Sequence, residues 1–141
     1  MNFSCENHQE PELLPVLETL QITQSREVPP PYQSTYTNHY RLRVIEKGNV
    51  PVTEYGVIYS TYNTSELENN APYVIKEPTV LNSPLHIITE EFGPGEKLMS
   101  HEKNYPLRTY VYQRAYAKLG DGRVIYGDVV LTAAGKIISL L

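Results

Sequence analysis

The side chains best suited to chemistry cluster near the C-terminus. Tyr110, Tyr112, Arg114 and Tyr116 occupy alternate positions, and alternate residues of an extended chain share one face. With Ala115 and Ala117 turned inward, the four long side chains point outward. An exposed aromatic row that includes an arginine stacks on sugar rings or grips a partner protein. A second layer laid over the row would convert the same residues into packing. These four are the candidate binding residues.

Cys5 is the only cysteine. One thiol excludes an internal disulfide and any zinc site built from several cysteines. The chain begins Met-Asn-Phe-Ser-Cys and continues through Glu6 and Asn7 to the acidic, proline-bearing run Gln9-Glu10-Pro11-Glu12. That start resembles the mature end of a bacterial lipoprotein, in which a lipid-modified cysteine precedes a flexible acidic tether. The resemblance implies lipid attachment at Cys5; the other reading is a free cysteine in a disordered tail.

Other reactive groups are scattered. His8, His39, His86 and His101 have no partners at metal-ligand spacing. They read as surface histidines, and neither a metal nor a cofactor is expected. Glu66 with Glu68, and Glu90 with Glu91, form carboxylate pairs. A glycosidase needs two carboxyl groups about 5 to 9 Å apart across a cleft. A small β domain seldom makes a deep cleft, so these pairs read as solvated charge. No serine nucleophile elbow, phosphate loop or calcium loop occurs, and Asp121 between two glycines reads as a turn residue. The expectation is a protein without catalytic activity.

The elements that position these residues are β-strands. Twelve tyrosines stand against two phenylalanines and no tryptophan, and tyrosine favours strands. Eleven prolines and eight glycines break the 141-residue chain often, which suits the short strands of a sandwich or barrel. Net charge is −4 without a basic cluster, so nucleic acid is not an expected partner. No apolar run approaches the roughly 18 residues of a membrane-spanning helix.

Residues 1–15 read as a flexible tether and 16–141 as one domain. The first strand is placed at 17–24, although Leu13, Leu14, Leu17 and Leu20 also fit a helical face broken by Pro15. Pro29-Pro30-Pro31 stops pairing. The second strand, 35–46, puts Tyr36, Asn38, Tyr40, Leu42 and Val44 on one face. The third, 52–60, does the same for Tyr55, Val57 and Tyr59. Residues 63–70 read as loop, 73–76 as a short edge strand and 79–90 as a weak alternating stretch. The segment 96–107 reads as irregular. Strands at 109–118 and 123–132 flank the hairpin signal Gly120-Asp121-Gly122. The tail 133–141 either extends the last strand or forms a short helix. The expected core is Leu42, Val44, Tyr55, Val57, Tyr59, Ile87, Ala115, Ala117, Ile125 and Val129.

Three blocks, in order, resemble the fibronectin type III-like domains of Gram-negative surface proteins. They are Thr53-Glu54-Tyr55-Gly56-Val57-Ile58-Tyr59-Ser60-Thr61, Gln113-Arg114-Ala115-Tyr116-Ala117 and Gly122-Arg123-Val124-Ile125-Tyr126-Gly127-Asp128-Val129. The resemblance spans roughly 21–132. It implies an all-β, two-sheet antiparallel immunoglobulin/fibronectin type III-like sandwich of about seven strands. It also implies a noncatalytic spacer or binding module of an exported lipoprotein at the outer membrane or cell surface. The partner would be a protein or glycan, with membrane contact only through the anchor. The alternative function is carbohydrate binding through the tyrosine row. Gln113 stands where the family usually has a hydrophobic residue, and Val111 where it usually has a tyrosine. A register shift of one, or a bulge, is therefore expected near 108–118.

Overall fold

The structure is a computed structural model that describes residues 10–26, 36–103 and 110–133. Cys5, His8, most of the tether, the proline run, residues 104–109 and the tail from 134 lie outside the described residues.

Among the described residues, eight strands form two antiparallel sheets packed face to face, with one helical turn besides. β1 (Val16–Thr19) and β2 (Thr23–Arg26) both pair with β3 (Tyr36–Glu46), whose other edge carries β6 (Gly95–Lys103). The second sheet runs β5 (Leu85–Ile87), β4 (Val52–Tyr62), β7 (Tyr110–Leu119), β8 (Val124–Ala133). The chain crosses from sheet to sheet between β3 and β4, back between β5 and β6, and across again before β7. The result is a β-sandwich with non-sequential neighbours.

Alternation explains the core. Tyr40, Leu42 and Val44 of β3 meet Tyr55 and Val57 of β4 and Ala115 and Ala117 of β7 in one buried cluster, with Tyr59 partly buried against it. Tyr36 and Asn38 share the inward face of β3 and are buried. The single first strand expected at 17–24 is two short ones, β1 and β2, interrupted at residues 20–22. Ile22 drops into the core there, and the Leu20 amide donates to the Arg41 carbonyl at 3.3 Å.

Four further expectations need correction. The stretch 96–107 is not irregular up to residue 103. Its first part is β6, in unbroken register with β3 from Gly95–Val44 to Lys103–Tyr36. Its charged and polar residues alternate with Met99 and His101, a pattern too weak in apolar content to read as a strand. Residues 73–76 form no strand. The loop 63–70 contains a helical turn, α1 (Thr64–Glu68), held by a capping box between Asn63 and Glu66. Finally, Ile87 is 46% exposed, whereas Ile88 is buried. Ile87 pairs with Gly56 on the outer face of β4, and a one-residue difference in parity exchanges inside for outside.

Val129 is also placed outward. It pairs with Arg114, while Tyr126 pairs with Tyr116, so three steps of β8 match two of β7. The extra residue is a β-bulge at Gly127 and Asp128, which reverses the facing of β8 beyond it. Ile125, before the bulge, pairs with inward Ala117 and is half-buried.

The expected irregularity is thus real, but it falls on β8. β7 keeps one register with β4 from Lys118–Glu54 to Tyr110–Tyr62. Val111 and Gln113 both point inward and are fully buried. Gln113 is accommodated by hydrogen bonding: its amide nitrogen faces the Val111 and Val130 carbonyls at 2.8 and 3.0 Å, and its oxygen faces the Thr132 hydroxyl.

Residues ahead of β1 are pinned. The Leu13 amide donates to Asn49 Oδ1, and the Asn49 amide donates to the Leu13 carbonyl, both at 2.8 Å. Asn49 Nδ2 donates to the Pro11 carbonyl at 2.9 Å. Glu12 receives two hydrogen bonds from the Arg123 guanidinium.

Candidate functional site

The four candidate residues sit where alternation put them, on the outer face of β7. They do not form an exposed row. Tyr116 is fully buried, and its hydroxyl donates to Glu54 Oε2 at 2.8 Å. Burial, reinforced by the Glu54 carboxylate that accepts this bond, pushes the Tyr116 phenol well above its ordinary value. Lys118 Nζ lies 3.4 Å from the same carboxylate oxygen. Arg114 is half-buried. Its Nε donates to the Gly127 carbonyl at 2.9 Å, and its guanidinium lies 4.5 Å over the Tyr126 ring. Tyr112 packs edge-on against Tyr62 at 6.5 Å. Tyr110 and Tyr112 are half-buried.

The cover is the segment 63–84 between β4 and β5. Ser60 Oγ donates to the Ile75 carbonyl at 2.9 Å. The Tyr62 hydroxyl donates to the Tyr73 carbonyl at 3.3 Å and accepts from the Ile75 amide at 2.7 Å. The Val80 amide donates to the Tyr126 hydroxyl at 3.3 Å. Pro78 is fully buried, as is Ile58 on the outer side of β4. This irregular layer has few backbone partners of its own, so hydroxyls projecting from the sheet satisfy its amides and carbonyls. From sequence, this segment divides into a loop at 63–70, an edge strand at 73–76 and the start of a weak alternating stretch at 79–90. Nothing in it signals that the segment folds back over the sheet.

Two glycines in the family-like blocks have steric causes. A Cβ on Gly56 would stand 2.0 Å from the His86 carbonyl oxygen, so β5 approaches β4 only because position 56 has no side chain. A Cβ on Gly127 would stand 2.9 Å from Thr19 Oγ1 and 3.1 Å from the Leu17 carbonyl oxygen. The Thr19 hydroxyl, reaching in from β1, accepts from the Ala115 amide at 2.9 Å. The bulge leaves that amide without a strand partner, and Thr19 supplies one across the two sheets.

The carboxylates have structural roles. Glu54 is held by Tyr116 and Lys118, and Glu90 Oε2 accepts from the Leu98 amide on the open edge of β6 at 3.2 Å. The Tyr55 hydroxyl donates to the Glu90 carbonyl at 2.6 Å. Burial, with the Glu90 charge adding to it, pushes Tyr55 up to about 12. Glu91 and Lys47 line an open groove at one end of the sandwich, floored by Val52 and Phe92. Asp121 is a turn residue: its carboxylate receives the Arg123 amide and guanidinium. Those bonds hold it below the usual carboxylate range.

The histidines differ from the surface reading in two cases. His39 does lie on the outer face of the first sheet, between Ser25 and Ser100. His86 and His101 instead face the space between the sheets, with ring centres 5.1 Å apart. Their approach had no signal in the sequence, because residue 101 was not placed on a strand.

No described helix is long and apolar enough to cross a membrane. The chain matches no family model, no curated protein and no solved structure.

Proposed function

We propose that the chain is a noncatalytic fibronectin type III-like module that spaces or binds at the surface of a Gram-negative bacterium, held there by lipid at Cys5. One observation carries the reading. The three family-like blocks fall on β4, β7 and β8, which are consecutive neighbours in one sheet. They supply Tyr55, Val57, Ala115 and Ala117 to the inter-sheet cluster. They also supply Gly56 and Gly127, two positions with no room for a Cβ. The resemblance is therefore one of architecture, and architecture alone suits a spacer or a binding scaffold.

The sugar-binding alternative has less support. Stacking on a sugar needs open ring faces, and Tyr116 has none while Arg114 is engaged with Tyr126.

The anchor is tested by labelling cells that make the full-length protein with a palmitate analogue. Label should enter the wild type, which should fractionate with membranes, and both properties should disappear in Cys5→Ser. An unlabelled, freely soluble wild-type protein would end the lipoprotein reading.

A further inference from the structure

The open side of the sandwich gathers three metal-binding side chains. His86 points inward from β5, opposite Val57. His101 points inward from β6, opposite Asn38. The imidazoles come from different sheets and meet with ring centres 5.1 Å apart, inclined at 41°. Met99 lies two residues before His101 on β6, so it shares the inward face. It stands opposite Tyr40 and packs against the core. Tyr40 and Tyr59 wall the group toward the interior. Tyr40 lies 4.3 Å from His86, and Tyr59 stacks on His86 at 5.1 Å and 8°. Both histidines remain partly accessible from the side.

One polar atom at this place lacks a partner: His101 Nδ1 is buried with no hydrogen bond among the described residues. Such an orphan calls for a water, an ion or a ligand. Two imidazoles on one metal, with metal–nitrogen bonds of about 2.0 to 2.1 Å, place their ring centres roughly 5 Å apart. Among the described residues, no group of three or more histidine, cysteine or acidic side chains could hold a metal, which argues against hard cations that need oxygen ligands. A thioether beside imidazoles selects copper in its Cu(I) state. A single positive charge is also less costly to desolvate between tyrosine rings than a double one.

We propose that His86, His101 and Met99 form a Cu(I) site that joins β5 to β6 across the open side of the sandwich. The metal would tie together two sheets that meet there only through side chains.

The test uses the full chain carrying Cys5→Ser, because a free thiolate captures Cu(I) by itself. Under anaerobic, reducing conditions, the protein is titrated against a chromophoric Cu(I) chelator. It should withdraw one equivalent of copper, and His86→Gln, His101→Gln and Met99→Leu should each weaken binding on the order of tenfold or more. Bound Cu(I) should also raise the melting temperature. Failure to withdraw copper, or binding indifferent to all three substitutions, overturns the proposal. Should a substitution unfold the domain, methyl-labelled methionine decides the matter in the Cys5→Ser chain. Only Met1 and Met99 are present, so a Met99 methyl resonance unmoved by one equivalent of Cu(I) overturns it equally.

Discussion

The two outer faces of the sandwich are built on the same alternation and end in opposite environments. On the first sheet, the outward residues of β3 meet solvent. Arg43 pairs with Glu18 and Arg41 with Glu96 across strand boundaries, and His39 bridges Ser25 and Ser100. On the second sheet, Ser60 and Tyr62 of β4 and Tyr126 of β8 hold the segment 63–84 by hydrogen bonds, and Ile58 and Tyr116 are fully buried. Neither residue belongs to the inter-sheet cluster, so the covered face is a second, smaller core. A strand pattern fixes which residues share a face. It does not fix whether that face stays wet.

The largest difference between the faces should appear on truncation. Tyr116→Ala removes a large buried ring, and losses of about 3 to 5 kcal/mol are typical of such changes. Denaturant unfolding measures it. A loss no greater than that of a solvent-face substitution would mean that 63–84 does not cover β7.

The hydroxyl ties that hold the cover come next. Tyr62→Phe deletes the bonds to the Tyr73 carbonyl and the Ile75 amide while keeping the ring. The expected loss is about 1 to 2 kcal/mol, with faster hydrogen exchange at the Ile75 amide. Unchanged exchange there would detach the cover from Tyr62.

High pH should strike the buried tyrosines. Burial raises Tyr40, Tyr59 and Tyr116, and lifts Tyr55 to about 12. Below about pH 10, these phenols are neutral in both folded and unfolded chains. Above it, the unfolded chain ionises first, so stability falls as pH rises toward the folded values. Phenolate absorbance should therefore show Tyr40, Tyr55, Tyr59 and Tyr116 ionising only as the domain unfolds. Tyr116→Phe should soften the alkaline loss, and a simple titration of all twelve tyrosines near pH 10 would contradict the burial.

The smallest effect belongs to the solvated face. Arg43→Ala breaks an exposed ion pair, for which about 0.2 to 1 kcal/mol is usual, shrinking with added salt. A larger, salt-insensitive loss would show that this face too is covered.

Much of the fold was legible because the long strands carry their own period. Tyr36 through Val44, Tyr55 through Tyr59, and the Ala115–Ala117 pair declare their facing locally. β6 was not legible, since Glu96, Lys97, Ser100 and Glu102 give it no apolar stripe and its pairing with β3 supplies the order. The outward facing of the tyrosine row could be read from alternation, but the burial of Tyr116 could not, because it depends on distant segments such as Glu54, 62 positions away, whose carboxylate takes its hydroxyl.

By itself, the sequence determined parity: which side chains lie together on each strand, and where Gly120-Asp121-Gly122 reverses the chain. Those are nearest-neighbour properties of a backbone with a two-residue repeat. Tertiary structure decided everything that depends on contacts between distant segments. It placed the bulge at Gly127 where Thr19 enters, laid 63–84 over one face, and brought His86 to His101. Such encounters are set by the packing of one sheet on another, which no local pattern encodes.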